Sequence, residues 1–282
     1  MEVKVSKGFL VLAQNTEFVD YVKQAYALAL SIKGTQSAVT NISLITNDPV
    51  PDRYKHVFDQ IIEIPWGDLA KNPRWKVENR WKLYHASPYN ETIVLDTDML
   101  MLDDIASWWD YCSVSDLKFC SRIKNYKAEI IEEDTHHRKT FINNKLPNSY
   151  VALHYFKKSE LAHDFYKVLE FVVKNWEACY KIYTPKTPQT WLSIDVATAI
   201  AISMMGIEDT VIDNAAPLEF IHMKPAIQNW SPVPSSWQNI VPFNFNDGKI
   251  IVGNHRQHYV FHYVEKDFLS DAMLKKIEIA YG

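Results

Sequence analysis

Two carboxylates one residue apart are the sharpest chemical feature of this chain. The apolar run Thr92-Ile93-Val94-Leu95 leads directly into Asp96-Thr97-Asp98, and a further apolar stretch, Met99 to Leu102, follows. In extended backbone, residues i and i+2 project to the same side, so both carboxylates can address one point. Their hard oxygens suit Mn2+ or Mg2+. An ion held there can bridge a diphosphate and stabilise the charge that builds on it as a bond breaks. Glycine points the same way by its scarcity. The seven glycines in 282 residues form no G-x-G-x-x-G and no G-x-x-x-x-G-K-[ST] pattern, so no glycine loop cradles a phosphate here. No Gly-x-Ser-x-Gly elbow and no evident Ser-His-Asp or Cys-His arrangement offers a nucleophile.

The carboxylates need elements to position them. Phe9 to Ala13 reads as a buried first strand, with Asn15 and Thr16 as turn and cap residues after it. Apolar positions from Phe18 to Ile32 fall three or four apart, predicting a core-facing helix that Gly34 ends. Ile42 to Thr46 and Ile61 to Ile64 read as the second and third strands, and a helix over Glu78–Ala86 leads to the fourth, Thr92–Leu95. Residues 118–145 carry seven Lys+Arg, four Asp+Glu and the pair His136-His137, and read as an irregular excursion over the active face. A strand over Val151–Phe156, helices at Ser159–Asn175 and Ile194–Met205, and strands near Glu219–His222, Ile250–Val252 and Tyr259–Tyr263 follow. An amphipathic helix over Lys266–Ala280 closes the chain. Strands alternating with helices predict an α/β layer structure with a largely parallel sheet, whose carboxyl edge is where ligands bind.

Against this frame, Arg80-Trp81-Lys82-Leu83-Tyr84-His85-Ala86-Ser87-Pro88-Tyr89 followed by Thr92 to Ile105 resembles the heart of GT-A glycosyltransferases. The resemblance is strongest to the glycogenin-like and galactosyltransferase-like enzymes of family 8. It covers roughly residues 8 to 215 in element order. It implies an α/β, Rossmann-like GT-A fold with a mixed, largely parallel sheet flanked by helices, and a smaller C-terminal extension. It also implies one catalytic domain over 1–282, in which 1–110 binds the nucleotide sugar, 111–215 faces the acceptor and 216–282 completes the site. Asp96 and Asp98 would then hold Mn2+ (or Mg2+) on the diphosphate of a donor such as a UDP-sugar. Arg80 falls where the family places a donor-contacting lysine, while Asn15, Thr16 and Asp48 would neighbour the nucleotide. Asn148-Ser149-Tyr150 looks like the family's Asn-Ser-Gly with Tyr150 in place of glycine, and Asp195 in Ile194-Asp195-Val196 matches its helix-opening aspartate. Asn148 and Asp195 would approach the transferred sugar and the acceptor. Relatives supply a third metal ligand from a late strand, a histidine followed by glycine and lysine. Both His262, with Lys266 four residues on, and His222, with Lys224 two residues on, fit in part. Position favours His262, and neither keeps the glycine. Family 8 enzymes retain anomeric configuration, which is the expectation here.

Composition narrows the alternatives. With 47% hydrophobic and 23% charged residues the chain is globular rather than disordered. Thirty Lys+Arg against thirty-four Asp+Glu give a formal charge of -4, so no global basic field attracts nucleic acid. No apolar run approaches the roughly twenty residues of a transmembrane helix. Met1 to Val5 opens no signal peptide, and three cysteines at no metal spacing fit reduced thiols, so the expected compartment is the cytoplasm. The acceptor is left open by the sequence, with a glycan, a lipid-linked glycan and a modified nucleic acid as the candidates. The net +3 of residues 118–145, within which His136-His137-Arg138-Lys139 reads chiefly as solvated surface, is a candidate contact. Two other readings compete. A haloacid dehalogenase-type phosphatase also places Asp-x-Asp after a strand, and a non-catalytic module would bind a nucleotide sugar without turning it over. Most of the nine tryptophans read as core, with a few able to pack on pyranose rings.

Overall fold

The computed structural model of the chain describes residues 6–74, 76–131, 138–223 and 237–282. Met1–Val5, the His136-His137 pair and Lys224 lie outside them. In chain order the first strands are β1 (Lys7–Leu12), β2 (Ile42–Ile45), β3 (Gln60–Ile62), β4 (Glu91–Leu95), β5 (Met99–Met101), β6 (Leu117–Cys120), β7 (Arg122–Lys124) and β8 (Tyr150–Lys157). The later ones are β9 (Glu219–His222), β10 (Phe243–Asn246), β11 (Lys249–Val252), β12 (His255–Arg256) and β13 (Val260–His262). The helices are α1 (Tyr21–Thr35), α2 (Asp52–Lys55), α3 (Leu83–Ala86), α4 (Ala106–Ser113), α5 (Lys139–Asn144), α6 (Glu160–Lys174), α7 (Trp176–Tyr183), α8 (Ile194–Met205), α9 (Glu208–Val211) and α10 (Asp271–Tyr281).

The main sheet has the order β3-β2-β1-β4-β8-β6. β3, β2, β1 and β4 run parallel, whereas β8 is antiparallel to both β4 and β6. β1, β2 and β4 are buried on both faces, as helices packed on either side require, while β3 at the edge is largely exposed. Phe9, Val11, Ile93 and Leu95 point into one core with α1 and α10, and the alternate residues Leu10, Leu12 and Val94 into another with α6 and α8. A second sheet, β5-β13-β9-β7, stands beside it, and a small antiparallel sheet, β10-β11-β12, belongs to the C-terminal part. This is an α/β protein with a mixed, largely parallel sheet. No helix of the described residues is long and apolar enough to cross a membrane.

Several elements depart from their expected bounds, each for a local reason. α1 begins at Tyr21 because Asp20 takes the cap, its Oδ1 accepting the Lys23 N–H at 2.9 Å. Thr16 Oγ1 instead accepts the Phe18 and Val19 N–H groups in the preceding turn. Gly34 does not end α1, which runs on to Thr35. A Cβ at Gly34 would stand 2.5 Å from Cδ1 of Tyr281, so the missing side chain is what lets α10 lie against α1. The expected helix over Glu78–Ala86 is a 3-10 turn, Arg80–Lys82, followed by the single turn of α3. Lys266–Phe268 is likewise a 3-10 turn, and α10 starts only after its Ser270 cap. The excursion expected over 118–145 begins with two strands built into the sheets. β6 pairs with β8, β7 pairs with β9, and α5 follows. Lys118, Arg122 and Lys124 alternate with buried Phe119 and Ile123, so half the positions of two real strands look like surface.

Candidate active site

β4 ends at Leu95, and the chain turns through Asp96-Thr97-Asp98 into β5, which belongs to the other sheet. The two carboxylates therefore ride on a turn between sheets, not on the extended backbone expected from their spacing. The turn is fixed at both ends: Asp96 donates its N–H to the Ala152 carbonyl (3.0 Å), and the Asp98 carbonyl accepts from Tyr263 N–H (3.2 Å). It still brings the carboxylates together. One oxygen of each, with a ring nitrogen of His262 from the end of β13, all lie within 4.8 Å of one another. His262 Nε2 stands 2.9 Å from Asp98 Oδ2. β9 and β13 run side by side with His222 opposite His262, and the two rings meet at 5.0 Å between centroids. His222 borders the same cleft but is not one of the three converging donors.

Lys266 donates to Asp98 Oδ2 from the other side. Burial alone would raise the Asp98 pKa, but His262 and Lys266, by charge and by hydrogen bond, outweigh it and hold the carboxyl well below its usual range. Burial lowers the Lys266 pKa and Asp98 more than restores it, so the ammonium is a settled cation. The loop between His262 and Lys266 lacks the glycine of the resembled motif, yet Val264 adopts φ 62, the left-handed conformation a glycine takes without strain. On the opposite wall, Arg80 Nη2 lies 2.6 Å from Asp96 Oδ1.

These groups border a cleft of about 320 Å³. Arg74 and Lys76 add positive charge to it, and Gln14 and Tyr21 complete the wall below β1. None of these four stood out in the sequence. Arg74 and Lys76 sit in an ordinary polar run, and Gln14 directly precedes the Asn15 singled out there. Asn15, Thr16 and Asp48 do not border the cleft. They form the turn beyond it, where Asn15 N–H donates to Asp48 Oδ2 (2.6 Å) and Asn15 Oδ1 accepts from Val22 N–H (3.0 Å).

Asp195, at the start of α8, borders the cleft and accepts the Val151 N–H at 2.9 Å. Asn148 lies behind it. Its Oδ1 accepts from Arg138 Nε at 2.8 Å and its amide donates to the Ser121 carbonyl at 3.0 Å. Arg138 also donates to the Ser149 carbonyl (2.7 Å) and reaches to 3.7 Å from Asp195 Oδ2. Its guanidinium is clasped between the rings of Phe141 (3.7 Å) and Tyr150 (3.8 Å). At 1% exposure, Arg138 is no part of a solvated patch. It is the buried strut on which Asn148 and Asp195 are mounted.

The donor set fits a divalent ion. Bonds of about 2.1 Å place neighbouring ligands about 3 Å apart and opposed ones about 4.2 Å apart. The 2.9 Å between Asp98 and His262 and the 4.8 Å outer limit of the triad need little adjustment to match. Two carboxylates and one imidazole suit Mn2+ or Mg2+, with positions left for phosphate oxygens.

No family model matches the chain, and no curated protein matches it in sequence. Solved structures do match in shape. The galactosyltransferase LgtC, in complex with donor and acceptor sugar analogs, is 12% identical with a TM-score of 0.53, and the match covers 96% of this chain and 93% of that one. The Q189E active-site mutant of LgtC is 11% identical with a TM-score of 0.51, covering 96% and 94%. The glycosyltransferase GlyE of Streptococcus pneumoniae TIGR4 is 9% identical with a TM-score of 0.47, covering 93% of this chain and 56% of GlyE. The chain thus spans about half the length of GlyE. What the LgtC matches share with this chain over nearly its whole length is architecture, and that architecture is the GT-A fold of glycosyltransferases.

Proposed function

We propose that the protein is a metal-dependent glycosyltransferase that moves a sugar from a nucleoside diphosphate sugar, in the first instance a UDP-sugar, to an acceptor with retention of anomeric configuration. The observation that carries this reading is the convergence of Asp96, Asp98 and His262 in a cleft ringed by Arg74, Lys76, Arg80 and Lys266, at the carboxyl edge of a GT-A sheet. Asp96, Asp98 and His262 would hold Mn2+ or Mg2+. When bound, such an ion stabilises the charge developing on the leaving nucleoside diphosphate by several kcal/mol. The chain's own residues do the rest. Arg80 and Lys266, already paired with the two aspartates, hold the carboxylates in place, and Lys266 with His262 favours the ionised form of Asp98. Arg74 and Lys76 supply further charge for phosphate oxygens. Asp195, oriented by Val151 N–H and braced by Arg138, faces the donor sugar, and Asn148 holds that brace in register.

The phosphatase reading would need the first carboxylate free to attack phosphorus, whereas Asp96 is ion-paired to Arg80. The binding-module reading separates from ours by turnover. Purified protein should hydrolyse at least one nucleotide sugar slowly in a Mn2+-dependent way, and Asp98→Ala should reduce that rate at least a hundredfold. Undiminished turnover in Asp98→Ala overturns the assignment, and Mn2+-independent UDP binding without turnover favours the module. Free glycans, lipid-linked glycans and modified nucleic acid are the acceptors to assay, with product anomers read by NMR.

A further inference from the structure

Trp66 is 67% exposed and has φ 58, in the left-handed region that residues other than glycine and asparagine avoid. Gly67, next in the chain, shares that region at φ 79. The turn is closed by Gly67 N–H donating to the Ile64 carbonyl (3.2 Å) and is pinned by the Lys82 ammonium, which donates to the Gly67 carbonyl. Lys82 is 1% exposed. A buried lysine is therefore committed to holding a strained turn that presents an exposed tryptophan. Strain of this kind persists only where the surroundings over-determine it, and it gathers at ligand clamps.

The Trp66 ring lies parallel to that of Trp81, with centroids 5.6 Å apart and 10° between planes, and His85 meets Trp66 edge-on at 5.1 Å. With Leu69, Lys167, Glu170 and Lys174 they line a cavity of about 390 Å³, within the range of small-ligand sites. It is separate from the cleft described above. Arg80 borders the cleft, and Trp81, the next residue, borders this cavity. Trp81 is 4% exposed, and its Nε1 is buried with no hydrogen-bond partner among the described residues. A buried indole N–H normally finds an acceptor. At the rim, Glu170 and Lys174 are paired at 2.6 Å, offering an acceptor and a donor side by side.

The ligand chemistry follows from these parts. An indole plane open to solvent takes a flat C–H face, and the carboxylate and the lysine ammonium groups beside it take hydroxyls. An aliphatic peptide side chain offers the first without the others. We propose that the Trp66–Trp81 platform is a saccharide-binding site, separate from the transfer cleft, that takes a pyranose unit of an oligosaccharide. It needs neither nucleotide nor metal, so its test does not depend on the transferase reading.

Full-length protein in EDTA, without nucleotide, is titrated with lactose, cellotetraose, maltotetraose and chitotetraose, with saturation-transfer NMR on the sugars as the readout. At least one of them binds the wild type. Trp66→Ala weakens that binding at least tenfold, Trp66→Phe keeps part of it, and Asp98→Ala binds as the wild type does. Absence of binding by all four sugars, or unchanged binding in Trp66→Ala, overturns the proposal. So does binding lost in Asp98→Ala, which would place the sugar in the cleft, or binding of oligothymidylate in place of every sugar.

Discussion

Arg138 shows how much one side chain can organise. It serves Asn148, the Ser149 carbonyl and Asp195 at once, and its plane is filled by Phe141 and Tyr150. Removing one partner from such a buried set leaves the others desolvated and unpaired, at a cost of about 3 kcal/mol. Urea unfolding of Arg138→Met should show a loss of that order, and Arg138→Lys should keep most of it, because a point ammonium replaces neither the fork nor the stacked plane. The two late histidines are separable at the same scale. Mn2+ at a hundred times its dissociation constant stabilises a protein by about 2.7 kcal/mol, roughly 5 °C in Tm for a chain of 282 residues. Thermal unfolding should show that shift in the wild type and in His222→Ala, and not in Asp98→Ala or His262→Ala. The reverse pattern for the histidines would move the third ligand to β9.

At the scale of elements, the packing of α10 on α1 is decided by one absent side chain. Alanine at position 34 would gain about 1 kcal/mol of intrinsic helix propensity, but its Cβ would stand 2.5 Å from Tyr281 Cδ1 and 2.9 Å from Tyr281 Cβ. Overpacking of that kind costs roughly 1–3 kcal/mol, so Gly34→Ala should destabilise the protein by about 1 kcal/mol net. In a Tyr281→Gly background the same change should become stabilising, and chemical denaturation of the four variants measures the reversal. Gly34 looked like a helix stop because glycine commonly is one, and a sequence does not show which side chain arrives from 247 residues away. The strands inside 118–145 were hidden for a related reason. Their outward lysines and arginines find partners elsewhere: Lys118 donates to the Thr210 carbonyl, and Arg122 and Lys124 pair with Glu219. Charge density alone reads as solvent exposure when those partners are remote in sequence.

For the molecule as a whole, acid should be felt through His154, deep in β8. Its Nδ1 lies 2.8 Å from the Val151 carbonyl and its Nε2 2.8 Å from the Tyr166 hydroxyl. Burial first, and then the nearby Arg80 charge, pull its pKa down from 6.5 to about 4. The unfolded chain therefore takes up this proton before the folded one does. Stability is full above about pH 6.5 and falls as pH drops toward 4, by about 2 kcal/mol between pH 7.5 and pH 5 from this group. Urea unfolding at the two pH values should show that difference, and His154→Gln, less stable at neutral pH, should lack this part of it.

Strand β4, the aspartate pair after it and the alternation of strands with helices were legible in the sequence because each is written in consecutive residues. An apolar run, a turn and a period of two or 3.6 are local facts, and burial on a layered sheet follows from them. The identity of the cations around the aspartates was legible only in part. Arg80 and Lys266 stood near recognisable landmarks, whereas Arg74, Lys76 and Gln14 carried no local mark and Arg138 sat in a charged run that reads as solvated surface. Their roles arise where loops from β1, β3 and β8 come together at one sheet edge, and only the tertiary structure, by closing those distances, decides which charges share a low-dielectric cleft and which remain in water.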